Sequence, residues 1–389
     1  MLKIVHIITR FINGGADENT LETCNHQAAA GHDVTLIYGD EWTERMLARL
    51  NAGITKICVS NLKRPVSPLN DILALYQIAQ HLKRIEPDVI HTHTSKAGFI
   101  GRLASIASRK SIVVHGVHIL PFTAENKTQF LTYLALEKIA APLTDHFIDV
   151  SEGMRELCLK HKLGIPENHD VIASGMDIDR FRRAEPAHDI RRDQNANSDA
   201  TPLTLTYVAV LERRKCHHEL MTAIAPILLA NPATSLVFAG EGPERSKLEA
   251  HARVLGIAQQ MQFIGFRDDA ANVIAASDIC LFYSEREGLP RSIVQYALGG
   301  KPILAMHLPG IERIVRDGQN GYVTDNAADF ASRLDHLLHS PDTRSDFGLH
   351  SEKMDLSAWS AKFMADEIEK VYLRALSRRI KFASRHQKK

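Results

Sequence analysis

Along the first 185 residues, short runs of branched and aromatic residues alternate with longer stretches of helical period. "LKIVHII" reads as a strand, "TRFINGGADENT" as a loop and "LETCNHQAAAGH" as a helix. Further strands follow at "DVTLIYG", "DVIHTHT", "SIVVHGVHI" and "DHFIDVS". Between them lie helical stretches at "NDILALYQIAQHLKRIEP", with Asn70 as the expected N-cap, "KAGFIGRLASIAS" and "QFLTYLALEKIAAPLT". This alternation predicts a parallel sheet with helices on both faces. The theme pauses near "DVIASGMDIDRFRRAEP". The polar, apolar-poor stretch His188–Pro202 reads as an interdomain linker.

The theme then restarts. "LTLTYVAVL", "TSLVFAG", "QMQFIGF", "ICLFYS", "KPILAMH" and "GYVTD" are strands. Helices begin near His218, run through "SKLEAHARVLG" and follow "ICLFYS". The expected architecture is α/β, with two Rossmann-like, doubly wound domains. They span residues 1–185 and 203–357, with a linker at 186–202 and a closing helix and basic tail at 358–389. Ligands of such sheets sit at the carboxyl ends of the strands, and the cleft between two domains is the expected site.

The length of 389 residues agrees with two domains, and a composition of 44% hydrophobic and 24% charged residues is globular. A net charge of +1 argues against a general nucleic-acid binder. The five cysteines, Cys24, Cys58, Cys158, Cys216 and Cys280, are scattered and lack CxxC spacing. That pattern suits a reducing compartment better than a disulfide framework or a zinc site. No apolar run approaches the roughly 18 residues of a membrane span, and "MLKIVHIITR" reads as a strand rather than a signal peptide. The expectation is a cytoplasmic protein, soluble or held at the inner face of a membrane. From Lys370 to Lys389 there are eight Lys/Arg and no Asp/Glu. The stretch reads either as a solvated tail or as an adhesion point for an anionic membrane surface.

Candidate chemistry clusters at predicted strand ends. Gly14 and Gly15 allow a tight turn before a helix N-terminus, which favours an anion, although the loop is neither GxGxxG nor a Walker loop. His91 and His93 lie on one face of a strand, followed by Ser95 and Lys96. They read as a polar acceptor-side wall or as satisfied structural histidines; a metal would need a third ligand, and none is near in sequence. His115 and His118 flank Gly116 and could bond a sugar hydroxyl or work near a leaving oxygen. Arg213, Arg214 and Lys215 beside a helix start suit a diphosphate. Gly240 and Gly242 around Glu241 suit close approach to a flat base. In "SEREGLPRSIVQYALGG", Pro290 fits a first helical position, leaving the following N–H groups for an anion. Glu287 can accept hydroxyls, and Gln295 can donate and accept without adding charge. Polyol recognition beside a phosphate site describes a nucleotide-sugar.

These stretches, in this order, resemble the retaining glycosyltransferases of family 4, which have the GT-B fold. The resemblance covers nearly the whole chain. It rests on "GGADENT" (14–20), "HTHTSKAGFIGRLA" (91–104), His118 with Leu120, Pro121 and Phe122, "DVSEGM" (149–154), "SGMDIDRF", "AGEGP" (239–243) and "SEREGLPRSIVQYALGGKPILA" (284–305). It implies that Lys215 binds the donor diphosphate, Glu287 the donor sugar hydroxyls and the position of Gln295 the ribose. It also implies that His118, or else His115, touches the transferred sugar near C6, and that Gly14 and Gly15 lie against donor and acceptor. Gly288, Leu289 and Pro290 belong to the same donor motif. Three positions depart from the pattern. Asp17 stands where glutamine is expected. Ala209-Val210-Leu211 lacks the usual arginine, whose charge Arg213 or Arg214 can supply. Gln295 replaces the second glutamate, weakening a ribose bond by roughly 1 kcal/mol.

The expected activity is retaining transfer of a sugar from a UDP- or GDP-sugar to a hydroxyl of a lipid-linked glycan in bacterial surface-polysaccharide assembly. The nucleotide-sugar is a substrate, and no cofactor or metal is expected. An epimerase on the same fold would need acid/base carboxylates and no acceptor surface. A non-catalytic nucleotide-sugar-binding regulator finds support only in Val210 and Gln295. A dinucleotide dehydrogenase is disfavoured by the missing GxGxxG.

Overall fold

The computed structural model describes residues 1–12, 14–118, 127–190, 202–285, 287 and 290–386, with side chains described in all of these except 127–129 and 380–386. The chain divides into two units, Met1–Met176 with Ser357–Lys389, and Asp177–Leu356.

The first unit is built on a seven-stranded parallel sheet. Its strands are β1 (Lys3–Phe11), β2 (Asp33–Trp42), β3 (Thr55–Cys58), β4 (Val89–His93), β5 (Ile112–Val117), β6 (His146–Asp149) and β7 (His169–Val171), in the order β3-β2-β1-β4-β5-β6-β7. β1 and β4 are central and buried along nearly their whole length, β1 mostly with aliphatic residues and β4 with Val89 and Ile90 followed by buried His91, Thr92 and His93. Alternation sends their side chains to two separate cores. Val5, Ile7 and Ile90 pack with Ala74, Ile78, Ala97 and Ile100 of the helices Pro68–Ile85 and Ser95–Ala104. Ile4, Val89, Ile112 and Val114 pack with Met364, Ile368, Val371 and Tyr372 of the helix Ala361–His386. Burying each such aliphatic side chain stabilises the fold by about 1.5–3 kcal/mol.

The second unit carries six parallel strands: β8 (Thr204–Val208), β9 (Ser235–Ala239), β10 (Met261–Gly265), β11 (Ile279–Phe282), β12 (Ile303–Met306) and β13 (Gly321–Thr324). Their order is β10-β9-β8-β11-β12-β13. Both sheets therefore reverse their winding once, between β1 and β4 and between β8 and β11. Those two switch points are where open α/β sheets hold ligands.

Several sequence expectations shift. The first boundary falls after Met176, not at 185. Met176 bridges to Ser360, while Phe181 is buried and the Arg180 guanidinium donates to the Asp268 carbonyl, both in the second unit. Ala187 and Ile190, expected in the linker, are buried against Ala239, Val273 and Ala276. Residues 191–201 of that stretch lie outside the described residues. The closing segment completes the first unit instead of standing apart. The helix at "GGADENT" begins already at Gly15. Ser67, with Pro68 after it, is the N-cap of the 68–85 helix; Asn70 sits inside its first turn and donates to Ser67 Oγ at 2.8 Å.

Candidate functional site

At the switch point of the second sheet, the loops after β8 and β11 are stitched together. The Arg214 carbonyl accepts from the Glu285 amide at 3.0 Å and from Ser284 Oγ at 3.1 Å. Tyr207 OH donates to the Lys215 carbonyl at 3.0 Å, and the Val208 amide donates to Tyr296 OH at 2.8 Å. This frame brings Lys215 Nζ onto Glu287 Oε1 and sets Arg214 Nη1 3.2 Å from Glu287 Oε2. The single Ser284 hydroxyl proton is shared between the Arg214 carbonyl and Glu287 Oε1, 2.9 Å away. The Lys215 and Glu287 side chains are only 13% and 10% exposed. Burial lowers the Lys215 pKa, and the Glu287 carboxylate works against that shift. Residues 72 apart in sequence thus form one charge cluster at a ligand position.

The three adjacent cations do not act together. Arg213 is 69% exposed and pairs with Glu219 at 2.7 Å, outside the cluster. Of the two residues considered for the missing arginine charge, Arg214 is the one placed at Glu287. Pro290 is the N-cap of the helix Arg291–Leu298, one position earlier than expected, and Gln295 is half-buried in that helix. Gly288 and Leu289 lie outside the described residues.

Gly240 and Gly242 are required by the packing of the chain itself. A Cβ on Gly240 would stand 1.9 Å from the Ala209 carbonyl oxygen, and one on Gly242 2.3 Å from that of Leu211. The Leu211 amide donates to the Glu241 carbonyl at 2.9 Å. The close approach these glycines allow is to the chain's own loop after β8. The Glu241 side chain points to Arg245 Nη1 at 3.1 Å.

At the switch point of the first sheet, histidines converge. His6 on β1 and His91 on β4 are register partners, and His93 lies two residues on along the same face. His6 Nε2 is 2.8 Å from Gln27 Oε1, His6 Nδ1 is 2.9 Å from His93 Nε2, and His93 Nδ1 is 3.1 Å from His118 Nε2. Gln27 Nε2 donates to Tyr372 OH at 3.3 Å, and Tyr372 OH lies 2.6 Å from His91 Nδ1. With the Gln27 amide in this orientation, each ring has one assignment. His6 donates from Nε2 and accepts at Nδ1. His93 does the same, and His118 then donates from Nε2. Burial pushes His6 down to about 4 and His91 and His93 well below the usual range, so the rings are neutral at pH 7. Among the described residues, His91 Nε2 is buried without a hydrogen-bond partner. His91 lines a cavity of about 10 Å³ together with Asn19, Gly116, His118 and Met364.

The sequence offered no third imidazole beside His91 and His93; the fold supplies His6, with ring nitrogens of the three within 4.8 Å of one another. Two of those nitrogens, His6 Nδ1 and His93 Nε2, are engaged in the bond between them. His115 is separated from this group. It pairs in register with Thr92, so it faces the other side of the sheet, bonds Thr92 Oγ1 at 2.9 Å and packs over Gly98. His118 is the member that reaches the strand end. Leu120, Pro121 and Phe122 lie outside the described residues.

The β4 end is strained. Thr94 adopts φ 63° and ψ 165°, a region held almost only by glycine, at a cost of about 1–3 kcal/mol. Its Oγ1 lies 3.2 Å from Thr9 Oγ1. Lys96 Nζ pairs with Asp71 Oδ1 at 2.6 Å and donates to the Pro65 carbonyl, tying this end to the start of the 68–85 helix. At the β1 end, Asp17 Oδ2 accepts from the amides of Gly14 at 2.7 Å and Ile12 at 3.1 Å. The unexpected aspartate therefore closes the turn itself, with Gly14 in extended backbone as N-cap and Gly15 as the first helical residue.

His6, Gln27 and Tyr372 escaped the sequence reading. A histidine midway along an apolar strand was the available signal for His6. Nothing local marks Tyr372, which follows β1 by more than 350 residues.

Comparison with known proteins identifies the family and the fold. Residues 13–180 match the family described as Glycosyltransferase Family 4, and residues 189–354 match Glycosyl transferases group 1. EpsD of Bacillus subtilis (strain 168) is 28% identical over 331 residues, 82% of this chain and 84% of its own. The UDP-Gal:alpha-D-GlcNAc-diphosphoundecaprenol alpha-1,3-galactosyltransferase of Escherichia coli is 25% identical over 328 residues, 83% of this chain and 84% of its own. The Anabaena Alr3699/HepE structure in complex with UDP and glucose has the same fold, with a TM-score of 0.79 at 19% identity, over 95% of this chain and 99% of that one. The chain belongs to the family 4 type of glycosyltransferases and has their GT-B fold.

Proposed function

We propose that the protein transfers a sugar, with retention of its anomeric configuration, from a UDP- or GDP-sugar to a hydroxyl of a lipid-linked glycan in bacterial surface-polysaccharide assembly. The observation that carries this reading is the partly buried cluster of Arg214, Lys215 and Glu287 at a strand-end switch point. In this structure Glu287 is the counter-ion of Lys215. A donor diphosphate takes over that place, with Arg214 and the first amides of the 291–298 helix as further donors. Glu287 is then released to accept from the sugar hydroxyls, and Gln295 holds the ribose diol.

As the glycosidic bond to the diphosphate breaks, negative charge grows on the leaving oxygen. Lys215 and Arg214 already stand where that charge develops and need no reorganisation. No metal is required for this step. His118, Nε2–H committed to His93, presents its other face to the transferred sugar, and Gly14 and Gly15 border donor and acceptor. Attack by the acceptor comes from the leaving-group side, guided by the departing phosphate.

Support for the donor class comes from HepE, solved with UDP and with UDP-glucose, and for the acceptor class from the E. coli enzyme, named for a diphosphoundecaprenol-linked glycan. A thermal-shift screen against UDP, GDP, ADP, CMP and their sugar conjugates tests the donor. A ligand at about 100 times its Kd stabilises by about 2.7 kcal/mol. A shift with one nucleotide family, lost in Lys215→Ala and Glu287→Ala, is expected; no shift with any of them overturns the reading. Proton NMR of the product then gives the anomeric configuration.

A further inference from the structure

The helix Pro68–Ile85 is apolar on two opposite faces. Ala74, Ile78 and Leu82 are buried in the core of the first unit. On the outward side Leu69 is 71% exposed, Ile72 64%, Leu73 40% and Tyr76 62%, and Val66, just before the helix, is 70% exposed. Positions 69, 72, 73 and 76 recur at helical spacing, so they form one stripe two turns long. An apolar stripe this exposed marks a surface that works against a non-aqueous partner. Further along the same face it turns polar at Gln80 and then basic at Lys83 and Arg84, all exposed. Lys63 and Arg64 stand before its other end.

We infer that this stripe is the surface by which the protein docks on an anionic lipid bilayer, with Leu69, Ile72, Leu73 and Tyr76 seated among the acyl chains and headgroups. Charge complementarity selects that occupant. Lys63, Arg64, Lys83 and Arg84 bracket the stripe, whereas the acidic groups nearby are few. Asp40 lies 3.9 Å from Lys63, Asp71 is committed to Lys96 at 2.6 Å, and Glu86 sits at the helix end. An apolar stripe framed by basic residues, with a tyrosine at the boundary, is the composition of interfacial helices. The basic tail is less available than its sequence implied. Lys370 pairs with Glu367, Arg374 with Asp170 at 2.5 Å, and Arg378 and Arg379 donate to carbonyls of Glu167, Ser111 and Arg109. The placement also serves the acceptor. Lys96, at the carboxyl end of β4, holds the Pro65 carbonyl and Asp71, so the docking helix is anchored to the acceptor-side motif. This inference rests on the lipid-linked acceptor proposed above.

Co-sedimentation of the full chain with phosphatidylcholine vesicles, with and without phosphatidylglycerol, tests it. Wild type should bind the anionic vesicles. The variant Leu69→Ser/Ile72→Ser/Leu73→Ser should bind at least about tenfold more weakly, since it removes most of the inserted apolar area. Lys381→Glu/Lys388→Glu/Lys389→Glu should bind as wild type. Unchanged binding by the stripe variant overturns the inference, as does a wild type that binds no vesicle. A stripe variant that converts a dimer to a monomer by light scattering overturns it too, because the occupant is then a second copy. The UDP thermal shift without vesicles is read on the same samples. A shift without vesicle binding removes only the docking surface, and vesicle binding without any nucleotide shift removes only the transferase reading.

Discussion

His6 Nδ1 lies 2.9 Å from His93 Nε2, joining two strands at the point where the first sheet reverses its winding. Through this bond the orientation of His118 is linked to Gln27 and Tyr372. His6 and Tyr372 are positioning residues. Tyr372→Phe and His6→Phe should each lower kcat by about tenfold, the size seen when an outer partner of a working histidine is lost. The KM for the donor should change little, because the proposed diphosphate contacts, Arg214 and Lys215, are not part of this chain of bonds. Steady-state kinetics over a range of pH separates the two constants; equal changes in both would mean a general loss of structure.

In the mechanism proposed above, Lys215 is the cation that meets the charge developing on the leaving oxygen. Lys215→Ala should reduce kcat about 10²–10³-fold, as does loss of one donor at other charge-stabilising sites. Arg213→Ala, whose own side chain is exposed and pairs with Glu219 away from Glu287, should keep near wild-type activity. Parallel initial-rate measurements compare them, and equal losses would return Arg213 to the donor site.

Arg102 is the third residue from the end of the motif "HTHTSKAGFIGRLA", and it is fully buried. Its Nη2 meets Glu137 Oε2 at 2.6 Å and its Nε donates to the Gly98 carbonyl at 2.8 Å. This motif arginine is a structural anchor. Glu137→Ala leaves an unpaired buried guanidinium and should cost about 3–5 kcal/mol, read by urea denaturation. Gly98→Ala puts a methyl 2.4 Å from His115 Cε1 and should cost about 1–3 kcal/mol.

Acid should unfold the first unit early. His6, His91, His93 and His115 are neutral in the fold, His6 down to about 4, all of them chiefly because burial disfavours the charged ring. Their unfolded pKa is about 6.5. Between those values the unfolded chain holds more protons, so stability falls as pH drops below about 6.5 and is regained as pH rises. Each ring contributes up to about 1.4 kcal/mol per pH unit. Melting temperatures from pH 8 to pH 5 should fall steeply below 6.5, and His6→Phe should flatten that slope.

The sequence carried the two doubly wound halves because parallel strands buried on both faces leave apolar runs that local reading detects. Lys215 and Glu287 were legible for the same reason: each follows such a run directly. What escaped depends on contacts distant in sequence. Gly240 and Gly242 suggest a ligand when seen alone, and only the carbonyls of Ala209 and Leu211 show what they make room for. Asp17 looked like a departure until its carboxylate was found closing the Gly14 turn. The domain boundary was misplaced because Phe181, Ala187 and Ile190 lie in polar surroundings in sequence and in apolar ones in space.

Met176 and Ser360 form a bridge, with the Met176 amide 2.9 Å from the Trp359 carbonyl and the Ala361 amide 3.0 Å from that of Met176. The helix that seals the β1, β4 and β5 face of the first unit is thus encoded after the whole of the second. On the ribosome, the nascent first sheet emerges with Ile4, Val89, Ile112 and Val114 uncovered and waits through the synthesis of 180 residues, Asp177–Leu356, for its lid. The second unit can fold on emergence; the first cannot finish until the later helix arrives. A cell making this protein must shield that sticky face for the interval, so its yield should respond to chaperone supply and translation speed more than to the stability of the finished molecule.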